Sequence, residues 1–91
     1  MVPRFRTSKR RLPSAVQTET DVQVKALLND PLAGQPKVGA LRGVRVVKFN
    51  AADRQYLLAY LFHAKPNVIE LIDVGVHENF YRDLRNYLAD R

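Results

Sequence analysis

Residues 43–88 read GVRVVKFNAADRQYLLAYLFHAKPNVIELIDVGVHENFYRDLRNYL, and the order of pieces in this stretch decides the fold. Residues 44–49 are β-branched and aromatic with Arg45 and Lys48 threaded in, the composition of a strand. Alternation puts Val44, Val46 and Lys48 on one face and Arg45, Val47 and Phe49 on the other, so each face carries one cation. The turn-like Asn50, Ala51, Ala52 and Asp53 lead into a second strand over residues 55–62. There Tyr56, Leu58, Tyr60 and Phe62 share one side, and Leu57, Ala59 and Leu61 the other. Apolar residues on both sides predict a central strand, one side under helices and the other lining a concave surface or partner site. Ala64, Lys65, Pro66 and Asn67 turn the chain into a third strand over 68–74. Gly75 ends that strand, and a helix over 78–89 carries Phe80, Leu84, Tyr87 and Leu88 as its buried stripe. Strands so close in sequence pair as an antiparallel meander.

Upstream, Pro3 opens a short helix in which Phe5 and Leu12 lie seven apart and so fall on one side. Five of the fifteen cations crowd into this segment: Arg4, Arg6, Lys9, Arg10 and Arg11. It reads as a solvated basic helix with two apolar anchors. Pro13 then starts a second helix at Ser14. Val16, Thr20, Val24, Leu27 and Leu28 form its stripe, and Asn29, Asp30 and Pro31 stop it. The two helices predict an αα-hairpin packed on the sheet. Residues 31–43, punctuated by Pro31, Gly34, Pro36, Gly39 and Gly43, read as a loop. The whole is one α+β domain over residues 1–91, ordered α-α-β-β-β-α.

The bulk numbers bound the function. An apolar content of 46% and a charged content of 26% are those of a globular protein, and a net charge of +6 favours an anionic partner. The absence of cysteine excludes a disulfide framework and a thiolate nucleophile, and fits a cytoplasmic protein. No apolar run approaches the ~20 residues of a membrane span, and no signal segment follows the basic start. Two histidines and scattered acids give no metal-ligand spacing, and the glycines make no phosphate loop. No metal and no cofactor is expected. The information-rich end of the chain is the run from Gly75 to Arg82. There a strand end presents His, Asn, Tyr and Arg beside cationic strands, a place suited to phosphate chemistry.

Several pieces in sequence resemble the RelE/ParE superfamily of bacterial toxins from type II toxin–antitoxin pairs. They are residues 27–34 (LLNDPLAG), 37–49 (KVGALRGVRVVKF), 56–60 (YLLAY) and 75–81 (GVHENFY), and the resemblance spans roughly residues 12–91. It implies an antitoxin partner and a fold that usually opens with an edge strand, here a possible fourth strand limited to Met1 and Val2. Many relatives also carry an arginine where this chain has Leu57.

The activity best known in the superfamily is metal-independent mRNA cleavage at the ribosome. The RNA 2′-hydroxyl attacks phosphorus, which needs a base, an acid and cations for the phosphorane. That resemblance nominates His77 for proton transfer, Lys48 and Tyr81 beside it, and Arg45, Arg54, Arg42 and Arg82 for phosphate or RNA. His77 also has a structural reading as a helix-capping or solvated residue. Arg54 can replace the missing arginine only if a bulge brings it to the face of Leu57. The expectation is thus an endoribonuclease, with a gyrase-inhibiting toxin or an inactive antitoxin-binding member as alternatives.

Overall fold

The computed structural model of the protein describes residues 2–90. Helix α1 spans Pro3–Arg10, with Pro3 in its first turn where no amide hydrogen is missed, and α2 spans Ser14–Asn29. Phe5 of α1 and Val16, Thr20 and Leu27 of α2 are buried. The Thr20 hydroxyl satisfies itself by donating to the Val16 carbonyl one turn back at 2.8 Å. Leu28, expected in this stripe, is 68% exposed. One residue beyond Leu27 the helix has turned through about 100° and carried it off the sheet.

The residues after α2 hold the strand that the sequence hid. Gln35–Pro36 form a two-residue β1, which pairs antiparallel with Val46 and Arg45. A 3₁₀ turn over Gly39–Leu41 follows, then β2 (Arg45–Ala51), β3 (Arg54–His63), β4 (Val68–Val76) and α3 (Phe80–Ala89). The sheet is a fully antiparallel meander in the order β1-β2-β3-β4. The fourth strand therefore comes from the loop and not from the N-terminus. Val2 contributes one backbone bond, its N–H to the Leu71 carbonyl at 3.2 Å, and Met1 lies outside the described residues.

The β2–β3 turn is tighter than the sequence suggests. Ala51 already pairs with Arg54, so only Ala52 and Asp53 turn the chain. Both have positive φ, 50° and 62°, as a two-residue hairpin twisted to match its strands requires. In β4 a bulge intervenes: Ala59 faces Asp73 while Tyr60 faces Leu71, leaving Ile72 as the extra residue.

Each face of the sheet is packed. On one, Phe5, Val16 and Leu27 join Phe49, Tyr56, Leu58, Tyr60, Leu71 and Val74. On the other, Phe80 and Leu84 of α3 cover Val44, Val46, Leu57, Ala59 and Ile72. The second face, expected to line a concave surface or partner site, is covered by α3. Helix α1 lies along the outer edge of β4. There Arg4 donates to Asp73 at 3.0 Å and sits 4.7 Å over the Tyr87 ring of α3. It joins the two layers at that edge.

Candidate functional site

Alternation along β2 and β3 decides which of the candidate side chains meet. Lys48 pairs with Leu57, and Leu57 with Gly75, so these three form one row across the face under α3. Lys48 is exposed at one end of this row, and β4 runs on from Gly75 to present exposed His77 beyond the other. Two strand spacings, about 10 Å, separate Lys48 from Gly75. Leu57 fills the middle, 0% exposed and in one apolar cluster with Phe80 and Leu84.

Arg45 is not part of this row. It lies on the opposite face, and its Nη1 donates to the carbonyls of Gly34 at 2.8 Å and Leu32 at 3.1 Å. Two carbonyls hold that guanidinium against the loop, on the face away from Lys48. Arg54 lies on that same opposite face. The β2–β3 ladder is regular from Ala51/Arg54 to Lys48/Leu57, and the bulge comes later, so Arg54 stays on the face opposite Leu57. Arg42 is exposed just after the 3₁₀ turn, where its N–H donates to the Gly39 carbonyl. Arg82 is exposed and shares its charge with neighbouring Asp83, Nε to Oδ1 at 3.3 Å.

What the fold does bring together is His77, Tyr81 and a residue that sequence reasoning missed, Lys37. The His77 and Tyr81 rings meet edge to face with centroids 5.8 Å apart. Lys37 Nζ lies 4.9 Å from the Tyr81 centroid, a cation over the negative face of the ring. Lys37 is carried there by the turn after β1, where its N–H donates to the Val44 carbonyl at 2.9 Å. Forty-four residues of sequence separate it from Tyr81, so no spacing signal could have shown the pair. Asn79, in the left-handed region at φ 60°, delays the start of α3 to Phe80 and sets Tyr81 beside the strand end. The Tyr81 hydroxyl is buried without a hydrogen-bond partner among the described residues. The other histidine, His63, sits 3.2 Å from Glu70 across the β3–β4 pair.

Two further features frame this surface. Tyr60 pins the loop from beneath: its hydroxyl accepts the Gly34 N–H at 2.9 Å and donates to the Pro31 carbonyl at 2.7 Å. Burial pushes the Tyr60 phenol above its ordinary value of 10.0, opposed by the Gly34 hydrogen bond and the Arg45 charge. A groove of about 330 Å³ runs along the outer edge of β2 beyond β1. Ala26, Leu27, Ala33, Val46 and Val47 line it together with Gln23 and with Gln35 of β1, and Lys48 lies at its rim. Leu28 and Leu32 are exposed in the segments on either side of its Leu27 and Ala33 walls.

Among the described residues, no three His, Cys, Asp or Glu side chains group as metal ligands. No helix there is long and apolar enough to cross a membrane. A family model for the ParE-like toxin of type II bacterial toxin–antitoxin systems matches residues 1–85. A search of curated proteins found no match.

Proposed function

This chain belongs to the ParE-like toxin family of type II bacterial toxin–antitoxin systems, and we propose on that premise that it acts by binding a protein, DNA gyrase, rather than by cutting RNA. The observation that carries this reading is the row Lys48, Leu57, Gly75. Where a ribose-phosphate backbone would have to lie between cation and imidazole, there is a buried leucine under Phe80. Two of the four arginines nominated for phosphate, Arg45 and Arg54, point away from that row. A phosphorane carries additional negative charge that needs several donors aimed at one point, and no other nominated cation shares the row with Lys48. A binding inhibitor needs none of this.

The rival reading, RNA cleavage, draws on the contact chain Lys37, Tyr81, His77. That chain offers a cation, an aromatic platform and a titratable group within one neighbourhood. One induction experiment separates the two. Expressed without antitoxin, the protein is expected to leave mRNA ends unchanged and to inhibit supercoiling by purified gyrase, in wild type and His77→Ala alike. Cleaved mRNA that disappears in His77→Ala refutes the binding mechanism.

Membership also implies a cognate antitoxin. The β2 edge beyond β1, backed by the apolar groove, suits an extended segment added as a strand. Ala26 is exposed in the groove wall. Ala26→Glu is therefore expected to abolish antitoxin protection while leaving toxicity intact; retained protection places the antitoxin elsewhere.

A further inference from the structure

We infer that the outward side of α1 seats the phosphate backbone of a double-stranded nucleic acid. The argument rests on α1 itself and stands whether or not the toxin's target is gyrase. The helix contains no acidic residue. Of its cations and the one that follows, Arg4 is held by Asp73 and Lys9 by Asp21. Arg6 and Arg10 are exposed and have no acidic partner among the described residues, whereas Arg11 lies on the Arg4 side, where it lines a hollow with Asp73, Glu78 and Asp83. Arg6 and Arg10 stand one turn apart, where like charges repel and weaken a short helix. An anion bridging them removes that cost.

The surface also has shape. Arg6, Lys9, Arg10 and Gln17 line a hollow of about 250 Å³. Gln17 Nε2 donates to the Leu12 carbonyl at 2.8 Å, which ties the end of α1 to α2 and fixes the hollow's floor. Phe5 and the Arg4–Asp73 pair hold the other side of α1 against the sheet, so the arginines are presented on a rigid rod. The chemistry selects the ligand. On this side arginine outnumbers lysine two to one, and guanidinium forks match phosphate oxygens in paired bonds. The one aromatic of α1, Phe5, is buried, so α1 offers no stacking platform for splayed bases. A duplex, whose bases are already stacked, requires none.

The test is fluorescence anisotropy of the full chain with a 20-base-pair DNA duplex, an RNA duplex of equal length, and polyglutamate. Two phosphate contacts predict an affinity that falls about 12-fold between 50 and 200 mM salt. Arg6→Gln/Arg10→Gln is expected to reduce the slope of log affinity against log salt by about 1.8. That change should bring the slope near zero with a melting temperature no lower than that of wild type, while Arg6→Lys/Arg10→Lys keeps the slope and Arg11→Gln alone leaves it unchanged. Tighter binding of one duplex names the nucleic acid, and equal binding means that the backbone alone is read; both support the inference. Failure of both duplexes to bind at 50 mM salt overturns it. So does an unchanged slope in the double variant, or polyglutamate binding as tightly as the duplexes.

Discussion

Removing a single oxygen from Tyr60 tests how the loop over the β2 edge is held. In Tyr60→Phe the ring keeps its place among Leu58, Leu71 and Phe5, so packing is conserved. What is lost is the acceptor for the Gly34 N–H and the donor to the Pro31 carbonyl. Gly34 is buried, and its amide is left without a partner at a cost of about 1–3 kcal/mol. Pro31 is half-buried and its carbonyl can turn to water, so the total should be about 2 kcal/mol. For a domain of this size that lowers Tm by roughly 8–16 °C.

The assay is urea denaturation with a thermal melt, both showing an unchanged m-value if packing is intact. The same variant has a pH signature. Because burial raises the folded-state phenol above 10.0, the unfolded chain gives up its proton first. The phenol's contribution is whole below pH 10 and is lost as pH climbs from there through the folded value. Wild type should therefore lose stability above pH 10 more steeply than Tyr60→Phe. A variant within 0.5 kcal/mol of wild type, with parallel alkaline profiles, would refute the account.

The remaining perturbations follow from close contacts. A Cβ on Gly34 would lie 2.6 Å from the Tyr60 hydroxyl and 2.7 Å from its ring, so Gly34→Ala should cost about 1–3 kcal/mol in the same denaturation assay. Ala52 is strained at φ 50°, and Ala52→Gly should raise the melting temperature, with a gain of about 0.5–1 kcal/mol. Asp73 accepts from both Arg4 and the Val74 N–H in a nearly closed setting. Asp73→Ala strands both donors, and equilibrium unfolding should show a loss of about 3 kcal/mol. Loss of less than 1 kcal/mol would mean that the Arg4 stack on Tyr87 holds α1 unaided.

Where period and punctuation carried the signal, the sequence could be read. Tyr56, Leu58 and Tyr60 do face the helical hairpin, while Leu57 and Ala59 face α3, because alternation along a central strand leaves no other arrangement. Pro13 and Pro31 bound α2 at Ser14–Asn29 as expected, since proline acts on the chain locally. Strand β1 was illegible for the opposite reason. Two residues cannot alternate, and Pro36 argues against a strand except at an edge, which is where it lies. The site was harder still. The side chain of Arg45 is committed by carbonyls 11 and 13 residues away, and Lys37 reaches Tyr81 only through the folded sheet. Alternation already set Arg45 and Lys48 on opposite faces, and the family resemblance is what drew them together.

One consequence follows from α1 lying against the outer side of β4, which it screens from Leu71 onward. A fibril built by joining sheets edge to edge needs every molecule to offer two unpaired borders, one for the copy before it and one for the copy after. Here, among the described residues, the only long open border is that of β2 over residues 47–51. Two copies meeting there would use up each other's opening, and the array would stop at two.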